Sequence, residues 1–260
     1  INFTADGVRA ISQWEKDELI KSGVNKELIK LIGNGTQEEA LADNGELVSG
    51  EFKNKIKNFK PYIIQIGRIH RIKNYETSIG AMGTIREELK LIIVGSVEDE
   101  QYFISLKNLI NKLGLKKRVI FLRGLSESEK YYLLKNAEMM VHMSRHEGYC
   151  MAVHEGMSQG LVCIVSNRTA LPYLVKNGVN GYCLDPYDHE ALAEKIKFVL
   201  ANKKSPKIKA MQKRNISFAK NHSWENVARK VEIFYKESLK AIEQSVLQKN
   251  LNKWSKYYEN

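Results

Sequence analysis

Between Pro61 and about Leu200, short apolar runs alternate with longer stretches whose apolar residues recur at helical spacing. The short runs cover residues 62–67, 89–95, 119–124, 139–143, 161–166 and 181–184, and they are rich in Ile, Val, Leu and Met. Unbroken runs of this length suit strands buried on both faces of a parallel sheet, which do not need to alternate polar with apolar residues. Between them, Tyr102, Leu106, Leu109, Ile110 and Leu113 fall on one helix face, and Gly114 stops that helix. Ser126 followed three residues later by Glu129 is a capping box opening another. Strand–helix repetition with short loops predicts an α/β fold, a doubly wound parallel sheet, over residues 61–200.

The flanks follow different patterns. Residues 7–11 and 28–32 read as strands around a helix capped by Ser12, closed by the turn Gly33-Asn34-Gly35. Two strands and a helix cannot bury a core alone, so residues 1–35 read as the end of a preceding domain. Residues 36–60 are polar with few apolar anchors and read as a linker. Residues 201–260 read as two helices, the first starting at Pro206 and the second at Ser223. The second carries Val227, Val231, Phe234, Tyr235, Leu239, Ile242 and Val246 on one stripe that something must cover.

Composition narrows the class. The chain has 260 residues, 43% hydrophobic and 27% charged, and no run of 18 apolar residues to span a membrane. Three widely spaced cysteines, Cys150, Cys163 and Cys183, fit neither a zinc ribbon nor a disulfide framework, and read as reduced thiols of a cytoplasmic protein. The net charge is +11, and residues 201–260 hold fourteen Lys/Arg against five Glu. That surplus, including Lys236, Lys240, Lys249, Lys253 and Lys256, suits a solvated helix face or docking on the inner face of an anionic membrane. Nucleic acid is not expected as a partner, because the tail lacks interleaved aromatics and no recognised motif occurs.

Ligands of open α/β sheets bind beyond the carboxyl ends of the strands, so the strand-to-helix loops carry the candidate chemistry. The first holds Gly67, Arg68, Arg71 and Lys73, a glycine for close approach followed by cations suited to phosphate. Alone, such a loop is most often a solvated turn. The second runs from Ser144 through Glu147, Gly148, Tyr149, Cys150 and Met151 to Glu155. A helix start near Cys150–Met151 would offer free N–H groups to an anion. The two glutamates could accept hydrogen bonds from sugar hydroxyls, although two glutamates eight apart mean nothing by spacing alone. His70, His142, His146 and His154 form no helix-spaced metal set and read as structural. Glu98-Asp99-Glu100 reads as the acidic start of a helix rather than a metal site.

Taken together, these residues resemble the retaining glycosyltransferases of family 4, also called group 1, with the GT-B fold. Glu147 and Glu155 match the family's E-x7-E element, and Gly67, Arg68 and Lys73 its G-R-x4-K loop. Residues 119–125 resemble the strand before its nucleobase contact, residues 177–182 its glycine turn, and residues 222–228 the start of its terminal helix. Residues 5–35 resemble the last elements of its N-terminal domain. Two departures stand out: Tyr149-Cys150-Met151-Ala152 where Phe-Gly-Leu-Pro is usual, and Tyr173 where a glutamate commonly follows the proline.

The resemblance implies transfer of a hexose from a UDP- or GDP-linked donor, with retention of configuration, to a glycan or lipid-linked acceptor. Arg68 and Lys73 would neutralise the leaving diphosphate. Glu147 would hold the sugar, and Glu155 the ribose. Gly124 and Leu125 would border the base, and Gly67, Gly148, Tyr149, Cys150 and Met151 would line the donor. No metal or other cofactor is implied. The acceptor half would precede residue 1, and the last helix would cross back toward it, so this chain alone is expected to be inactive. Alternatives are a non-catalytic nucleotide-sugar-binding subunit and a GT-B epimerase or phosphorylase.

Overall fold

The structure, a computed structural model, describes residues 5–42, 46–85 and 88–258, with side chains as far as Gln248. The side chains of Lys249, Lys253 and Lys256 therefore lie outside the described residues. The N-terminal segment holds β1 (Val8–Ala10), α1 (Gln13–Lys21) and β2 (Ile29–Leu31), the two strands pairing in parallel. Ser12 caps α1 by accepting from the Glu15 N–H. Arg9 ties the segment's end, its guanidinium donating to the carbonyls of Ile32 and Gly33 and to Asn34 Oδ1.

The stretch 36–60 is more than a polar connection. It contains α2 (Gly50–Lys57), capped by Ser49, whose hydroxyl accepts from the Phe52 N–H. Ala40, Val48, Phe52 and Ile56 are buried in the same cluster as Tyr62 and Ile64. Only two apolar residues of an eight-residue helix face inward, but their i, i+4 spacing puts both on one face, and that face packs on the sheet.

Six strands form one parallel sheet: β3 (Tyr62–Ile66), β4 (Lys90–Val94), β5 (Val119–Leu122), β6 (Met140–His142), β7 (Cys163–Ser166) and β8 (Gly181–Leu184), in the order β5-β4-β3-β6-β7-β8. Between them run α3 (Tyr75–Thr84), α4 (Glu100–Lys112), α5 (Glu127–Lys135), α6 (Met151–Ser158) and the single turn α7 (Leu171–Leu174), and α8 (His189–Ala201) follows the last strand. The capping box at Ser126 and Glu129 is present in full. The unbroken apolar runs follow from burial on both sides. Ile63, Leu91 and Val141 face the cluster under α3, α4 and α8, while Ile64, Ile92 and Met140 face the one under α2, α5 and α6.

Two helices close the chain, α9 (Pro206–Asn221) and α10 (Trp224–Tyr258). The stripe on α10 divides. Val227 and Phe234 are buried with Ile32 of the N-terminal segment, whereas Tyr235, Leu239 and Val246 are exposed. Phe234 lies so close to Gly7 that a Cβ there would come within 2.7 Å of its ring. Lys30 adds an exposed ion pair to Glu237 at 3.0 Å. Burying a phenylalanine contributes roughly 1.5–3 kcal/mol, so this contact holds the segment to the helix far more than the ion pair does.

Candidate active site

The strand order reverses between β3 and β6. From β3 the chain winds outward through β4 and β5, and it returns at β6 on the other side. Loops leaving these two strands diverge, and the crevice between them is where such sheets hold ligands. Gly95 lets the first loop cross the end of β4, since a Cβ at Gly95 would lie 1.9 Å from the Gly67 carbonyl oxygen. The loop ends at Asn74, in the left-handed region at φ 52. The buried Asn74 amide donates to the carbonyls of Met143 at 2.9 Å and Pro186 at 2.6 Å, which anchors the backbone next to Lys73.

The second loop is stitched to the first. The Ser144 hydroxyl and the Arg145 N–H both donate to the Ile72 carbonyl. The Glu147 N–H donates to the Thr169 hydroxyl at 2.9 Å, and the Glu147 carbonyl accepts from Ala170. Glu147 is thus fixed at both backbone ends. Its side chain crosses the reversal point: Lys73 Nζ donates to Glu147 Oε1 at 2.6 Å, and both side chains are nearly buried. His142, fully buried at the end of β6, approaches the same oxygen with Nε2 at 2.8 Å. An ionised carboxylate only accepts, so Nε2 carries the hydrogen. Burial works against the charge on Glu147, but the His142 hydrogen bond and the Lys73 ammonium outweigh it and hold the carboxyl down at about 2.

These groups line an open pocket of about 670 Å³. It brings Arg68, Lys73, Glu147 and Gly148 together with His146 and Glu98. Arg68 is exposed and pairs with Glu98 at 2.6 Å; Arg71 pairs with Asp99 at 2.8 Å. Solvated pairs of this kind are worth about 0–1 kcal/mol, so an anion can take either arginine at little cost. Asp99 is the N-cap of α4, accepting from the Tyr102 N–H, so the acidic triplet opens a helix. Cys150 is the N-cap of α6, in the left-handed region at φ 81, and its side chain makes no capping hydrogen bond. The free N–H groups after Gly148 therefore start beside Glu147.

The other expected residues lie outside this pocket. Tyr149 turns away, and its hydroxyl sits 3.1 Å from His154 Nδ1 and 3.3 Å from the Asn34 carbonyl, on the wall of a second cavity of about 430 Å³. Glu155 accepts from Lys130 Nζ at 2.9 Å, and burial pushes its carboxyl up despite that partner. Gly124 is in the left-handed region at φ 64, turning the chain after β5 toward the half-buried Leu125.

Three participants escaped the sequence reading. His142 reads as structural by spacing, yet it bonds Glu147 directly; its only signal was a single polar residue inside the apolar run 139–143. Thr169 and Lys130 come from distant turns and helices and gave none. His142, Glu147 and Cys150 also lie close enough to share a metal ion, their ligand atoms within 4.8 Å of one another. Such an ion would stand against the Lys73 ammonium on Glu147 and would have to take the proton from a buried thiol whose pKa is raised well above normal.

The family profile for glycosyl transferases group 1 matches residues 50–221, most of the chain, and the chain belongs to that family. It is 29% identical over 203 residues to the capsular polysaccharide biosynthesis glycosyltransferase CapM of Staphylococcus aureus, covering 75% of this chain and 52% of the relative. It is 24% identical over 220 residues to the GDP-mannose:cellobiosyl-diphosphopolyprenol alpha-mannosyltransferase of Xanthomonas campestris, covering 84% and 56%. The chain thus spans about half the length of these relatives. Its fold matches that of Anabaena Alr3699/HepE in complex with UDP-glucose at TM-score 0.80 and 22% identity, over 91% of this chain and 65% of the other. The α/β fold is therefore the Rossmann-like, GT-B type. No helix among the described residues is long and apolar enough to cross a membrane.

Proposed function

We propose that this chain is the donor-binding half of a retaining, family 4 glycosyltransferase that moves a hexose from a UDP- or GDP-linked donor to a glycan or lipid-linked acceptor. The observation that carries this reading is the Lys73–Glu147 pair at 2.6 Å across the strand-order reversal, beside the start of α6. It puts a cation on the wall of one pocket, the N–H groups at the start of α6 just beyond its lining residue Gly148, and an ionised carboxylate on the same wall. A diphosphate needs the first two, and a sugar hydroxyl the third. The relatives' names support the substrate class: one acts in capsular polysaccharide biosynthesis, another uses GDP-mannose and a diphosphopolyprenol, and the structural neighbour holds UDP-glucose.

Arg68 and Lys73 stabilise the charge that grows on the leaving diphosphate, and the α6 N-terminus adds to them. Glu147 Oε1 is taken by Lys73 and His142, which leaves Oε2 to accept from the sugar. Glu155 exchanges Lys130 for the ribose hydroxyls, and Gly124 and Leu125 border the base. Two cations and a helix end do the work a metal would otherwise do. The segment 5–35 is the end of the acceptor half, and the exposed part of the α10 stripe, with Lys236 and Lys240, is the face for a membrane carrying a lipid-linked acceptor.

Thermal shift of this chain with UDP, GDP and ADP tests the reading. One diphosphate should raise Tm in proportion to the logarithm of its concentration, and Lys73→Ala should remove the shift. No stabilisation by any of the three would overturn it. This chain spans about half the length of its relatives, and by itself it should transfer no sugar.

A further inference from the structure

We propose that His142 is a positioning residue that selects which Glu147 oxygen faces the donor and keeps the carboxylate in place when Lys73 turns to phosphate. This rests on the donor reading above, and it assigns a role to a residue outside the motifs that carry that reading.

The geometry is specific. Lys73 Nζ and His142 Nε2 both reach Oε1, at 2.6 and 2.8 Å, and among the described residues no hydrogen bond is made to Oε2. His142 reaches Glu147 from under the sheet end, fully buried, whereas Lys73 comes from the pocket side, on a loop of cations. A diphosphate entering the pocket competes with Glu147 for the Lys73 ammonium. When that ammonium leaves, the His142 N–H is the remaining donor on Oε1. Without it the carboxylate could turn either oxygen to the sugar and would sit nearly buried with no partner, a costly state. His142 Nδ1 is buried and has no partner. The tautomer with hydrogen on Nε2 leaves only an acceptor unmet there, while the opposite tautomer would strand a donor and lose the bond to Glu147. The surroundings therefore fix the ring as a donor toward the site.

The groups facing Glu147 are few. Lys73 comes from the first loop, Tyr75 from α3, Cys150 from the start of α6 and His142 from β6; the Arg68–Glu98 and Arg71–Asp99 pairs stand across the pocket. Tyr75 and Cys150 are both held protonated by burial, so neither offers Glu147 a charge.

The test compares three variants of this chain. In His142→Gln, the amide nitrogen reaches about as far as Nε2 and keeps the donor. In His142→Asn it stops short, near the position of Nδ1, and the bond to Glu147 is lost with polarity retained. His142→Leu removes both. The first readout is the titration midpoint of the Glu147 carboxyl by carbon-detected NMR. It should rise by about one pH unit or more in the Asn and Leu variants and stay near the wild-type value in Gln. The second is the ratio of UDP-glucose to UDP affinity, and of GDP-mannose to GDP affinity. Where the sugar adds affinity in the wild type, that increment should fall by about tenfold in Asn and Leu; the diphosphate alone should also bind more weakly in them, because drawing Lys73 away then leaves Glu147 without a donor, and the ratio isolates the sugar's share. If Leu does not fold, the Asn and Gln pair decides alone.

An unchanged Glu147 midpoint in the Asn variant overturns the proposal, as does a Gln variant that behaves like Asn. If none of the four nucleotides binds, the donor reading fails, and the titration still decides whether His142 positions Glu147.

Discussion

Glu147 and Glu155 stand eight residues apart, each is mostly buried, and each accepts a lysine ammonium. Their carboxyls nevertheless shift in opposite directions. Burial raises both, but Glu147 has His142 as well as Lys73 and ends low, at about 2. Glu155 shares its single partner, Lys130, with Glu127, whose own negative charge pushes the same way as burial, and it ends above its usual value. Sequence spacing therefore says nothing about the charge state of such a pair. What decides is the number of donors converging on each carboxylate, and those come from elements far away in the chain.

The most severe way to break this comparison is Lys73→Ala. It leaves the nearly buried Glu147 with His142 as its remaining donor, and losing one partner of a buried pair costs about 3–5 kcal/mol. We expect a clear fall in Tm at pH 7 and a loss of nucleoside diphosphate affinity of about tenfold or more. A variant as stable and as tight-binding as wild type would show that the pair does neither job. Lys130→Ala should destabilise less, because Glu155 is the carboxylate already inclined to take a proton.

The pH dependence of stability separates the two carboxyls by sign. Glu147 is depressed in the folded state, so its contribution is complete above about pH 4.5 and is lost as pH falls toward 2. A depression of this size corresponds to roughly 3 kcal/mol. Glu155 is raised, so its contribution is complete below its unfolded value and is lost as pH climbs through the folded one. Chemical denaturation between pH 3 and 7 should then show a flatter acid loss in Glu147→Gln and a steeper one in Glu155→Gln than in wild type. Parallel curves for the two variants would erase the distinction.

Ligand binding sharpens the comparison further. Glu155→Gln should weaken UDP or GDP itself, because ribose is common to donor and product. Glu147→Gln should weaken only the extra affinity contributed by the sugar, by about tenfold. Calorimetric titration with UDP and UDP-glucose distinguishes them, and equal losses of UDP affinity would mean the roles are misassigned. The smallest effect belongs to Arg68→Ala: stability within about 0.5 kcal/mol of wild type, since its pair with Glu98 is solvated, but weaker diphosphate binding. A large drop in its Tm would place Arg68 among the structural groups with Lys73.

Much of this architecture is legible in the chain's pattern. All six sheet strands fall inside their apolar runs, because strands covered on both faces are built mainly of apolar residues; buried polar residues such as Gln65 in β3 and His142 in β6 are exceptions. α2 was not legible, since Phe52 and Ile56 are a thin signal among lysines and asparagines and only the sheet beneath shows what they meet. The loops holding Lys73 and Glu147 were legible as strand-to-helix loops beyond the carboxyl ends of their strands, and the resemblance gave their residues roles. Their convergence on one oxygen was not, because it depends on the strand order, which brings β3 beside β6 although more than seventy residues separate the two side chains. His142 was set aside for the same reason: an isolated histidine in a strand is usually a satisfied core residue, and its partner lies around a turn that the pattern does not specify.

Trp14, on α1, meets His146 edge-on, ring centroids 4.9 Å apart and planes at 88°. His146 is the residue before Glu147 and lines the same pocket. Indole emission responds to the charge and polarity around it, so the chain carries its own optical gauge of the site loop. Two further tryptophans add to the emission: Trp224, which packs against Gly35, and Trp254. A rearrangement of the 144–150 loop that moves His146 changes the light from Trp14, which makes occupancy of the pocket readable without a label once Trp224 and Trp254 are replaced by phenylalanine.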